Sequence, residues 1–418
     1  MIKMENNIKK NFIWNIIGLT LYGVVSLFLM IIVKHINGIK VSGVFSYAYS
    51  ICTLFYFISL YYSRTYQIAN YNNNKNFNQF LTFRLLSALI STFLVLVFSW
   101  ISGFSKNKVI IIFLLMMFRT FDAISDTFYG FVQEKNELYK VGISYTLKST
   151  ISIVLFFLID FYTKNIYISI ISMNIINLLF LIFYDVNNYK KLTSEKFNLD
   201  FSNTKLILKE SFPIFLFSFI SSYLANAEKY VIVYFTTDEL QSIFAILIMP
   251  ATVLSLIGCY LINPFINKLN ELNKNKDFKN FNILTAKILI ALLIFGVFGT
   301  LFCSLWGIPI LNLIYKINLN EYKKDLIIII ISSVMCAGSM ILSNVLTILN
   351  KNKLQFLFYF VSALVATISC YYFIKENVIR GSVYAYLLSY IINFSCYLMY
   401  YIFVIKRVGG SNEKQERK

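Results

Sequence analysis

The chain has 418 residues, of which 58% are hydrophobic, 18% aromatic and only 14% charged, with four prolines and a mean hydropathy of +0.67. Apolar runs of about 20 residues recur along its whole length, each long enough to cross a bilayer, which excludes a soluble domain and implies an all-α polytopic membrane protein. The net charge of +18 would suit a nucleic-acid binder, but most lysines and arginines sit in short connections between apolar runs, as positive-inside topology places them.

About twelve transmembrane helices are predicted, over approximately 11–33, 41–62, 80–103, 108–132, 141–161, 165–185, 211–235, 240–264, 282–305, 325–348, 354–374 and 382–405. The first run is long and lacks a small-residue cleavage pattern, so it reads as a span and not as a cleaved leader. Placing the N-terminus in the cytoplasm leaves 23 lysines and arginines in cytoplasmic segments and 10 in external loops, which puts both termini inside. The other five, Arg84, Arg119, Lys148, Lys229 and Lys287, fall within spans.

Span one contributes Asn15 as an uncharged donor in its inner part and His35, the single histidine, at its outer end. Arg84 in span three and Lys287 in span nine lie within a turn or two of cytoplasmic ends, where snorkelling toward headgroups accounts for them. Span four is different. Arg119, Asp122 and Asp126 fall at i, i+3 and i+7, so a helix places them on one face. Together they cost roughly 9 kcal/mol at mid-span, against about 4–8 kcal/mol returned by the apolar residues around them. That face must turn to other helices or to a wet cavity. Lys148 in span five matches the depth of Asp126, so Arg119 with Asp122 and Asp126 with Lys148 are the bridges expected if the charges are only structural. Asp160 and Asp185 sit at span ends and read as interfacial.

The polar stretch 186–210 separates spans six and seven and divides the chain into an N-terminal six-helix bundle (1–190), a cytoplasmic basic linker (191–210) and a C-terminal six-helix bundle with a short basic tail (211–418). A faint echo between SGVFSYAYS (42–50) and QSIFAILIM (241–249) suggests a parallel repeat about an axis along the membrane normal. Span seven carries Ser218, Ser222, Asn226 and Lys229 along one stripe with Glu228 beside it. The stripe would face the span-four cluster across a central cavity, or act as a polar seam between helices.

No catalytic residues are assigned. No external loop exceeds roughly 15 residues, and no phosphate loop, nucleophile elbow or zinc-type histidine pair occurs. The six cysteines, Cys52, Cys259, Cys303, Cys336, Cys370 and Cys396, lie in or at the ends of spans without a C-x-x-C pair, so no metal site is expected. Arg119, Lys148, Lys229, Asn15, Asn226 and Arg84 are the candidate substrate-binding residues of a cationic cavity suited to a phosphate or carboxylate. Asp122, Asp126 and Glu228 are candidate coupling or salt-bridge acids, able to exchange a proton or a salt partner. No cofactor is expected, beyond H⁺ or Na⁺ as a coupling ion.

Five stretches in order resemble a known family: SRTYQIAN (63–70), DTFYGFVQEKNELYKVGIS (126–144), ANAEKYVIVYF (225–235), FAILIMPATVLSLIGCYLINPFI (244–266) and WGIPILNLIYKINLNEY (306–322). The chain resembles the bacterial O-antigen or capsule repeat-unit flippases, polysaccharide transporters of the multidrug/oligosaccharidyl-lipid/polysaccharide (MOP, MATE-like) superfamily. The resemblance implies two six-helix bundles around a central cavity working by alternating access in the bacterial plasma membrane. It implies a substrate of oligosaccharide linked through pyrophosphate to undecaprenol, flipped to the external leaflet for polysaccharide synthesis. Partners would be membrane lipids, a polysaccharide polymerase and a chain-length regulator, with no nucleic acid. Glu228 departs from the pattern, standing where related sequences often have proline before Lys229-Tyr230. A drug or metabolite exporter on the same fold would favour a more acidic cavity. A glycan polymerase or ligase would need a large external loop.

Overall fold

The computed structural model describes the backbone of residues 2–62, 64–70 and 75–416, and these form helices with no strand. Ser63 of the SRTYQIAN stretch and the side chain of Cys259 lie outside the described residues. Among the described residues, 11 helices are long and apolar enough to cross a membrane. A further helix, Lys106–Glu134, has 29 residues and carries Arg119, Asp122 and Asp126 in its central part. The protein is a multi-pass helical membrane protein.

By internal packing the chain divides into two units, Met1–Ser222 and Tyr223–Lys418. In the first, α1 (Ile2–Asn37) turns at Gly38 into α2 (Ile39–Leu60); the turn needs φ +89°, which glycine adopts without strain. A short α3 (Arg64–Asn70) precedes α4 (Phe77–Ile101), α5 (Lys106–Glu134) and α6 (Leu138–Thr163). Next comes α7 (Ile166–Phe180), which runs through a π-helical turn, Leu181–Asp185, into α8 (Val186–Leu192). Asn76 and Gln79 form a capping box on α4, and Asn165 caps α7, each supplying acceptors that the first turn lacks.

Helix α5 packs on α2, α4 and α7, while α1 lies along α6. Gly18 and Gly142 make that last approach close: a Cβ on Gly142 would run into the backbone of Trp14 and Asn15. The start of α1 is tied to the α5–α6 turn by Asn11, which donates to Asn136 O (2.9 Å) and accepts from Tyr139 N (2.8 Å).

The polar connection folds back on this unit. Tyr189 stacks on Phe77 (centroids 4.1 Å apart) and on Phe197 (5.2 Å). Asp200 accepts from Gln79 Nε2 (3.0 Å), Asn76 Nδ2 (3.3 Å) and Ser202 Oγ (2.5 Å). Those bonds, from Ser202 first, hold the Asp200 carboxyl down at about 2. The next helix, α9 (Thr204–Leu224), stacks Phe215 on Tyr61 at 4.6 Å.

The predicted span 211–235 is not one helix. The chain breaks after Leu224 and resumes as α10 (Ala227–Ile232), so the polar stripe is split between two elements. In the second unit follow α11 (Asp238–Ile262), α12 (Ile266–Lys274), α13 (Phe278–Phe302), α14 (Ile308–Tyr315), α15 (Lys323–Ile348), α16 (Gln355–Phe373) and α17 (Val378–Glu416). Helix α15 is central here, packing on α11, α13 and α17 around Phe281, Leu292, Ile341, Leu342, Val345 and Tyr397.

Candidate functional site

In the first unit the site is built on one face of α5. Arg119, Asp122 and Asp126 are all buried in the unit's interior, as their helical spacing predicts. Each has partners from different helices. Arg119 donates through Nη1 to Tyr22 Oη (2.8 Å) and through Nη2 to Thr53 Oγ1 (2.9 Å), with the Tyr49 ring 4.6 Å away. Tyr22 Oη in turn donates to Asp122 Oδ2 (2.8 Å), and Asn177 Nδ2 donates to Oδ1 (3.3 Å). The Arg119–Asp122 ion pair is long, at 3.9 Å, so the tyrosine hydroxyl between them carries the connection.

One turn further along α5, Asp126 takes two guanidinium groups. Arg64 donates through Nε to Oδ1 (2.5 Å), and Arg84 through Nη2 to Oδ2 (3.3 Å). Arg84 also donates to Ser59 O (2.9 Å), Leu60 O and Thr127 Oγ1 (3.1 Å), and lies 4.0 Å from the Tyr62 ring centre. It is 0% exposed, so the snorkelling reading of Arg84 does not hold. A guanidinium this deep is tolerated because carbonyls, a hydroxyl, a carboxylate and an aromatic face together replace its water shell. Lys287 is exposed on α13, where snorkelling remains open to it.

Lys148 does not pair with Asp126. It bridges to Asp185 (2.9 Å) and donates to Ser125 Oγ (2.7 Å), while Ser144 donates to the other Asp185 oxygen (2.8 Å). Asp185 is therefore a buried partner and not an interfacial acid, and it ends the π-helical turn of Leu181–Asp185. Such a turn adds a residue and re-aims the side chains that follow it. Asp160 is buried as well, bonded by Asn37 Nδ2 (2.5 Å) and Ser169 Oγ (3.0 Å). Asn15 lies two turns before Tyr22 on α1, half-buried at the Gly142 contact.

The second unit holds the other candidates. Glu228 on α10 is 1% exposed, and neither carboxylate oxygen accepts a hydrogen bond from another residue among the described ones. Its helix, α10, packs on α16 and α17. The next residue, Lys229, donates to Asn226 Oδ1 (3.2 Å). Tyr223 bonds Thr367 Oγ1 (2.8 Å) beside it.

Sequence reasoning missed Arg64, Tyr22 and Tyr145 and misplaced Asp185. Arg64 was visible only as one basic residue after span two, counted with the positive-inside loop charges. Arg64 also donates through Nη2 to Tyr145 Oη, and its guanidinium lies 5.3 Å from the Tyr129 ring centre. No group of three or more His, Cys, Asp and Glu among the described residues could hold a metal ion.

No family model matches the chain. A curated protein of Staphylococcus aureus, the capsular polysaccharide biosynthesis protein CapF, is 21% identical over 329 residues, covering 78% of this chain and 81% of its own. The lipid II flippase MurJ, in an inward closed conformation, superposes with a TM-score of 0.71 at 16% identity, over 94% of this chain and 87% of its own. A multidrug-resistance MATE transporter of the MOP superfamily, inward-facing, superposes with a TM-score of 0.68 at 13% identity, over 94% and 99%. The chain has a MATE-like fold, as the resemblance implies. The relative's name agrees with the polysaccharide-transporter resemblance.

Proposed function

We propose that this protein flips undecaprenyl-pyrophosphate-linked oligosaccharide repeat units from the cytoplasmic to the external leaflet of a bacterial plasma membrane, by alternating access, for O-antigen or capsule synthesis. The observation that carries the reading is the buried interior of the first unit. There three buried cations, Arg84, Arg119 and Lys148, and the partly exposed Arg64 meet three carboxylates, Asp122, Asp126 and Asp185. Intramembrane charge is expensive and marks a substrate or ion path by default, and a net cationic set suits an anionic diphosphate. The fold shared with a lipid II flippase and the relative named for capsule synthesis support the substrate class.

In this reading both termini are cytoplasmic, which puts the Asp126 end of α5 on the cytoplasmic side. Glu228 is the candidate for H⁺ or Na⁺ coupling, because a buried carboxylate whose oxygens take no hydrogen bond from the described residues gains most from taking up a cation. A polymerase and a chain-length regulator would act on the product. The same Glu228 is the feature a drug exporter on this fold would use for a cationic substrate. The deciding experiment deletes the gene in its own host and follows lipid-linked repeat units. Loss of surface polysaccharide with accumulation of the lipid-linked unit inside is the expected result. Normal surface polysaccharide together with new drug sensitivity would favour the exporter.

A further inference from the structure

The surplus cation in the first unit can be located. Among the described ion pairs Lys148 meets Asp185 and Arg119 meets Asp122, whereas Arg64 and Arg84 share Asp126. Arg84 is committed: its side chain is 0% exposed and bound to two carbonyls and a threonine hydroxyl. Arg64 is not. Its side chain is 22% exposed, and among the described residues it spends one of the five donors a guanidinium carries on Asp126 and one on Tyr145. Should Arg64 swing away, Asp126 keeps Arg84 at 3.3 Å, so no carboxylate is stranded without a cation.

We propose that Arg64 is an exchangeable substrate-binding guanidinium: it releases Asp126 to grip a phosphate group of the substrate, and Asp126 acts as its internal competitor. The proposal rests on the diphosphate-lipid reading given above. A guanidinium fork matches phosphate oxygens two at a time, which a lysine at this position could not do. The Tyr129 and Tyr145 rings, 5.3 and 5.6 Å from the guanidinium carbon, give the cation a second hold while Asp126 is surrendered. Only the side chain needs to move. Helix α3 is held on α5 by Gln67, which donates to Thr127 O (2.9 Å) and packs so tightly on Gly130 that a Cβ there would lie 2.5 Å from its Oε1.

The test is binding of geranylgeranyl diphosphate to the purified full-length protein in detergent, with geranylgeraniol as the uncharged control. The wild type should prefer the diphosphate. Arg64→Gln should weaken diphosphate binding by about tenfold or more, the loss of a charge-assisted pair. Arg64→Lys should recover part of that loss. Asp126→Asn should strengthen binding several-fold, because it removes the competitor; a merely structural Arg64–Asp126 pair predicts unchanged or weaker binding instead. Should Asp126→Asn fold poorly, Arg64→Gln decides alone: undiminished diphosphate preference in that variant overturns the role of Arg64. A wild type that binds diphosphate and alcohol equally overturns the substrate reading itself.

Discussion

The two units handle buried charge in opposite ways. In the first, Arg64, Arg84, Arg119, Lys148 and three aspartates come from α3, α4, α5, α6 and the turn after α7, and each of the three carboxylates is bonded by at least two side chains. In the second, the core around α15 is apolar, the buried Asp325 has a long pair with Arg380 (3.7 Å), and Glu228 is buried with no bond from another described residue to either oxygen. A paired network makes a rigid interior with a defined excess of positive charge. A buried acid whose oxygens take no hydrogen bond makes a site that changes when a cation arrives. On the function proposed above, anion recognition belongs to the first unit and ion exchange to the second.

The contrast breaks most visibly at Lys148. Lys148→Ala leaves Asp185 charged and buried, at a cost of about 3–5 kcal/mol, and should sharply lower the melting temperature in detergent. Adding Asp185→Asn should restore much of it, because the stranded charge is gone. A single Lys148→Ala variant as stable as wild type would show that the network is not tightly coupled. Glu228→Gln tests the other side: neutralising an unbonded acid should leave stability unchanged or higher while abolishing transport driven by an ion gradient. If Glu228→Gln unfolds the protein, the acid is structural and the contrast fails.

The smallest expected effect lies at the docked connection. Asp200 is held down at about 2, below its ordinary value near 3.9. Because the folded value is the lower one, its contribution is fully present above about pH 4 and is lost as pH falls toward 2. Proteolysis of the 193–203 stretch should therefore rise in Asp200→Ala at neutral pH, and in the wild type only on acidification below about pH 4. Equal cleavage of the two proteins at neutral pH would mean that the aromatic stack of Phe77, Tyr189 and Phe197 holds the connection unaided.

Much of this was legible in the amino-acid order. Runs of apolar residues long enough to cross a bilayer define the class and most of the spans, and the period of Arg119, Asp122 and Asp126 defines a charged face on α5. These are properties of one helix at a time, set by hydropathy and by 3.6 residues per turn. Partnership is not such a property. Whether Lys148 meets Asp126 or Asp185 depends on the azimuth and depth of two helices at once, and a π-helical turn with no sequence signature re-aims the winner. Arg84 looked free to snorkel because its depth was readable and its neighbours were not; the Ser59 and Leu60 carbonyls that hold it belong to the end of another helix. Arg64 lay hidden among loop charges until α3 folded back onto α5 and brought it to Asp126. The sequence by itself determined that charge had to be buried in this membrane protein, and where along each helix. Only the tertiary structure decided which charge answers which, because an ion pair in a low-dielectric interior requires two side chains from distant parts of the chain to meet within a few ångströms.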